Sequence, residues 1–150
     1  MQWEQLNVQL ARLCQLWPMP SILVIHLGGN DLGKCKTLDL LFKIKGDLQR
    51  FGLAFPGTVV AFSEIIPRLS WLSSEQRRVM EKMRKRVNRA LEKYMPQIGG
   101  FSYRHVDLEG GYPGLYRRDG VHLSEVGVDI FNVGLQNIVE KAATFGVGRA

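Results

Sequence analysis

The order of apolar segments predicts an α/β protein of three layers, a parallel sheet covered by helices on both faces, in one domain over residues 1–150. Three observations support this. Helical and strand patterns alternate along the chain, which is how parallel strands are joined through crossover helices. The segments Ile22–Leu27 and Thr58–Phe62 are short, β-rich and apolar on both faces, as strands buried between two layers are. No repeat, low-complexity tract or linker interrupts the 150 residues, of which 45% are hydrophobic and 23% charged, a globular composition of single-domain size.

Leu6, Leu10, Leu13 and Leu16 recur at helical spacing, and Pro18 and Pro20 end that helix. Strand 22–27 follows and stops at Gly28-Gly29. Leu38, Leu41, Ile44, Leu48 and Phe51 mark one face of a second helix, with Gly52 close to its end; strand 58–62 comes next. After Pro67 a basic helix is expected, its first turn capped by Ser73 or Ser74, its apolar stripe formed by Val79, Met83, Val87, Ala90, Leu91 and Tyr94. Phe101–Leu108 reads as a third strand, Gly110–Gly114 as a loop, and Ser124 to about Ala143 as a final helix with Ser124 as its cap.

The longest apolar run, Ile22–Leu27, is far short of the roughly 20 residues that span a bilayer, so no membrane role is expected. The amino end lacks the basic flank and apolar run of a secretory leader. Cys14 and Cys35 are too few for a disulfide framework, and neither has a histidine at zinc-ligand spacing. Free thiols in the reducing cytoplasm are therefore expected, and nothing in the sequence demands a metal or organic cofactor. The net charge is +6, from 20 Lys+Arg against 14 Asp+Glu, concentrated between Arg77 and Arg89. A solvated helix face accounts for such a run, and so does a surface for phosphate groups. Strand 22–27, very apolar yet at one side of a narrow sheet, invites a second chain onto its open edge.

Sites in parallel α/β sheets form beyond the carboxyl ends of the strands. Gly28-Gly29-Asn30-Asp31 stands there. Its glycines let the backbone approach a ligand, and the Asn30 amide can donate to a developing oxyanion; equally, Asn30 and Asp31 fit a strand-to-helix turn. Asp119-Gly120-Val121-His122 precedes the last helix. A carboxylate three residues before an imidazole can hold Nδ1–H and leave Nε2 as a general base, although such a pair also occurs in surface turns whose side chains never meet. His26 reads as a core histidine inside its strand, and His105, mid-strand, has no assigned role.

Taken together, the Gly-x-Asn-Asp turn after a buried strand and, about 90 residues later, Asp119-Gly120-Val121-His122-Leu123-Ser124 resemble the SGNH hydrolases, the GDSL-type esterases. The resemblance implies a flavodoxin-like three-layer fold of five parallel strands and an ester substrate cleaved through an acyl-enzyme. It implies Asn30 as oxyanion donor, His122 as base and then acid, Asp119 as the group orienting His122, and Gly28, Gly29 and Asp31 as the supporting loop. The family's nucleophile block, a Gly-Asp-Ser-type turn, has no counterpart: only 27 residues precede Gly28 and none of them spells it. The chain accordingly reads as the C-terminal part of such a domain, with about three strands, no nucleophile, and esterase activity lost or severely impaired. Ser63 is the one serine near the functional edge; Ser21 and Ser102 open their strands at the wrong end. A different class of function is a non-catalytic basic module that binds nucleic acid or a partner protein through the charged helix and assembles through strand 22–27.

Overall fold

A computed structural model describes residues 1–71 and 76–145. Helix α1 is Leu6–Leu16, preceded by a 3-10 turn at Trp3–Gln5; β1 is Ile22–Ile25, α2 Thr37–Ala54, β2 Val59–Ser63, α3 Arg77–Tyr94, β3 Phe101–Tyr103 and α4 Glu125–Phe145. The strands are parallel in the order β1-β2-β3, with Ile22 beside Val59 and Ala61 beside Phe101. No helix of the described residues is long and apolar enough to cross a membrane.

Side chains alternate across the sheet, so each strand feeds two cores. Val60, Phe62 and Ile25 point into the larger one with Leu6 and Leu10 of α1, Ile44 and Leu48 of α2, and Val87 and Leu91 of α3. Ala61 and Phe101 point the other way, onto Ile138 and Ala142 of α4, with Ile22 and Val24 alongside. Three helices thus cover one face and α4 the other, which is the expected three-layer α/β/α architecture. With the order β1-β2-β3, β1 is an edge strand, and Ile22, Leu23 and Val24 are only partly buried.

Several boundaries differ from the sequence reading, each for a local reason. β1 ends at Ile25, so His26 lies beyond the strand and is exposed rather than a core residue. β2 runs one residue further than its apolar segment, because Ser63 keeps the parallel pairing by standing beside Tyr103. β3 stops at Tyr103, and the chain turns into a short 3-10 helix at Val106–Leu108 that places His105 outside the strand. The buried stripe of α3 is Met80, Arg84, Val87, Asn88 and Leu91, rotated from the apolar residues expected because two polar side chains belong to it. Gln76 precedes α3 without a side-chain cap; Ser73 and Ser74 lie outside the described residues. Ser124 does cap α4, its hydroxyl accepting from the Gly127 N–H at 3.2 Å.

Candidate active site

The loop after β1 separates the two halves of the Asn-Asp pair. Gly28 (φ +117°) turns the chain through a conformation open mainly to glycine. Asn30 then faces a cleft of 240 Å³ lined by Met1, His26, Gly28, Gly29, Ile65 and Arg68, among others. Asp31 points away from that cleft. Its carboxylate accepts the Trp3 N–H at 3.0 and 3.2 Å, which anchors the first turn of the chain, and burial pushes its pKa up. Asp31 therefore supports the loop from behind and does not line the cleft with Asn30.

The Asn30 amide has a fixed sense. The Arg68 guanidinium donates to its Oδ1 at 2.9 Å, so Nδ2 is left as the donor, here reaching the Met1 carbonyl at 3.3 Å. Arg68 in turn lies over the Trp71 ring, 5.1 Å from its centroid, and close against Gly29. The Met1 carbonyl oxygen is thus the acceptor on Asn30 Nδ2.

Asp119 and His122 do meet. Asp119 Oδ2 lies 2.6 Å from His122 Nδ1; a carboxylate can only accept, so Nδ1 carries the proton and Nε2 is the unprotonated nitrogen of the neutral ring. The other carboxylate oxygen accepts the backbone N–H groups of Val121 and His122, both at 2.9 Å. The His122 contact, followed by these backbone donors, holds the Asp119 pKa well below the usual carboxylate range. His122 Nε2 has no hydrogen bond among the described residues, and the His122 side chain is 71% exposed.

What joins the two clusters is the strap 67–70 that leaves β2. Arg68 holds Asn30, while the next two residues, Leu69 and Ser70, donate their backbone N–H groups to the Gly120 carbonyl at 2.8 and 3.1 Å. Tyr116 donates its hydroxyl to the Pro67 carbonyl at 2.5 Å. Gly120 is at φ +69°, and a Cβ there would stand 3.0 Å from both Leu69 and Ser70, so glycine is required for the docking. The strap ties the Asn30 loop and the His122 turn to one edge of the sheet, at the carboxyl ends of the strands. Arg68 was not among the residues expected from the sequence; its signal is that Pro67-Arg68 stands four residues beyond the end of a buried strand, on the side where sites form.

Ser63 has the partners of an activated serine without its access. Its Oγ lies 2.6 Å from His105 Nε2 and 3.0 Å from His26 Nδ1. His105 stacks on Phe131 of α4 at 4.7 Å, and burial, then the neighbouring His26, pushes its pKa down to about 4. Ser63 is fully buried and His105 5% exposed, and the cleft beside Asn30 reaches neither of them. The cluster seals the space between the sheet and α4. Cys14 and Cys35 are both free, and no group of three potential metal ligands stands together among the described residues.

No protein-family model matches the chain, and no curated protein matches it. Its fold is similar to a solved structure described as "a putative platelet activating factor from Streptococcus pneumonia", with a TM-score of 0.63 and 19% identity over 78% of this chain. The chain spans 58% of that structure's length. At this identity the likeness establishes the architecture, a parallel sheet between helical layers.

Proposed function

We propose that this chain carries the acid-base and oxyanion half of an SGNH-type ester hydrolase site, and that the nucleophilic hydroxyl comes from outside these 150 residues. The observation that carries the proposal is the Asp119–His122 pair at 2.6 Å, braced by two backbone donors and presenting Nε2 on the edge that also bears Asn30. In this reading His122 Nε2 takes the proton of the incoming hydroxyl as its oxygen bonds to the ester carbonyl carbon. The carbonyl electrons move onto oxygen, which accepts from Asn30 Nδ2–H in place of the Met1 carbonyl. The tetrahedral adduct collapses, the carbon–alkoxide bond breaks, and His122 returns the proton to the leaving alcohol. Water repeats the sequence on the acyl-enzyme. Asp119 keeps the imidazole in the Nδ1–H tautomer and stabilises the imidazolium. Asp31, turned towards Trp3, has a structural role.

The test is p-nitrophenyl acetate hydrolysis by the chain alone, by the chain extended upstream in its own reading frame, and by His122→Ala in both. The chain alone is expected at the no-protein rate. The extended chain is expected to turn over, and His122→Ala to lower its kcat by about 10⁶, the scale found for a serine-protease histidine. Turnover by the chain alone that collapses in Ser63→Ala would make the buried serine the nucleophile and overturn the proposal. So would extended-chain turnover indifferent to His122→Ala.

A further inference from the structure

A second hollow, away from the candidate active site, is far more basic than it. An open cleft of 780 Å³ between α2 and α3 is lined by Lys45, Lys82, Lys85, Arg86, Arg89 and Lys93, with Ala90, Tyr94 and Gln97 completing it. Among the described residues no carboxylate lines it. The five cations of α3 fall at i, i+3, i+4, i+7 and i+11, one face of one helix, and Lys45 is contributed by α2. None of the six is in an ion pair among the described residues. The acidic neighbours on α3 are directed elsewhere: Glu81 binds Arg84, and Glu92 faces a separate hollow beside Glu64, on whose rim Lys85 and Arg89 also stand. The wall is firm, since Tyr94 donates its hydroxyl to the Lys45 carbonyl at 3.0 Å and its ring carries Lys45 Nζ at 5.4 Å.

Six unpaired cations around one hollow repel one another, and an anion of matching length relieves that repulsion. We infer that this cleft binds the phosphodiester backbone of a nucleic acid, without reading its sequence. Lys82 to Lys93 spans roughly 17 Å of helix, a length over which a duplex presents about ten phosphates. The cleft offers cations, one amide and one occupied aromatic ring, a set that contacts phosphates rather than base edges. A membrane surface fits less well: Met80, Val87 and Leu91, the apolar face of α3, are fully buried, so nothing beside the cations can insert among acyl chains. Arg84, the central residue of the basic run in sequence, takes no part, because it is fully buried. This inference is independent of the ester-hydrolase reading.

Fluorescence anisotropy with labelled single-stranded and duplex oligonucleotides, over a salt series, tests it. Lys82→Gln/Arg86→Gln/Lys93→Gln removes three exposed charges that line only this cleft and keeps good helix formers at each position. It is expected to weaken binding at least tenfold and to reduce the slope of log K against log salt by about 3, one per lost phosphate contact. Arg12→Gln/Lys36→Gln, which removes exposed cations elsewhere, is expected to retain the wild-type slope. Circular dichroism confirms that the triple variant is folded. No binding at low salt, equal loss in both variants, or tighter binding to phosphatidylserine vesicles or polyglutamate than to the oligonucleotides would overturn the inference.

Discussion

Glu64 and His105 leave the ends of neighbouring strands, are each 5% exposed, and titrate with opposite consequences. Burial first, then the nearby Glu92, pushes the Glu64 pKa up from 4.5 to about 7; burial pushes that of His105 down from 6.5 to about 4. As pH rises from 4.5 to 7, unfolded Glu64 loses its proton before the folded one does, so stability falls. As pH drops from 6.5 to 4, unfolded His105 gains a proton that the folded ring resists, so stability falls in that direction instead. Each pKa unit is worth roughly 1.4 kcal/mol before solvent screening reduces it. The two slopes oppose each other across the acidic range and flatten the wild-type profile. Glu64→Gln removes one of them. Its melting temperature is expected to match wild type near pH 4.5 and to exceed it by a few degrees at pH 8, while stability now drops steadily with acid below pH 6.5. Thermal melts across that range check this; a variant whose difference from wild type is the same at every pH would show that Glu64 titrates alike in the folded and unfolded chain. At this scale the sequence was only partly legible. Asp119 and His122 were readable because three residues of one turn decide their contact, whereas the Asn30–Asp31 pair was split by partners, Arg68 and Trp3, that lie 38 and 28 residues away.

Among the elements, α3 departs most from its sequence pattern, and the reason is tertiary. Arg84 is fully buried yet donates to Glu81, Glu109 and the Ile65 carbonyl, and Asn88 pairs with both the N–H and the carbonyl of Ile65 at 2.9 Å. These two polar residues dock α3 onto the segment leaving β2, just ahead of the strap that holds Asn30. Hydrophobic periodicity could not register them, since a buried polar side chain is recognised only through partners distant in the chain. The strands and helices themselves were legible because apolar spacing is local, and the missed ends of β1 and β3 are sites where the chain turns towards the site. Arg84→Ala is expected to cost about 3–5 kcal/mol by opening a cavity and leaving Glu109 only its longer contact with Arg104 at 3.7 Å, a large share of the roughly 5–15 kcal/mol that holds a domain together. Arg84→Met, which fills the space, is expected to cost less than Arg84→Ala. Urea denaturation followed by tryptophan fluorescence measures both, and equal midpoints for Arg84→Ala and wild type would refute the docking role.

For the molecule as a whole, the open edge of β1 is the dominant feature. Beside it lies an apolar cleft of 240 Å³ lined by Leu10, Leu13, Trp17, Ile22, Leu23 and Phe55, with others, and Leu13, Leu16 and Trp17 are 50–68% exposed. A bare parallel edge flanked by such residues favours strand addition from another chain. The protein is expected to self-associate in a concentration-dependent way in size-exclusion chromatography with light scattering, and Trp17→Glu with Leu13→Glu is expected to shift it towards the monomer mass. A monomer at every concentration would mean that the edge remains solvated. The amino end brings a practical consequence for anyone handling the protein. Met1 lines the cleft and its carbonyl already sits on the Asn30 amide, with Asp31 clamping the following turn from the other side. A purification tag fused directly ahead of Met1 would therefore start inside this cleft, against the Asn30 amide, so handles for isolating and immobilising these 150 residues belong on the far end of the chain.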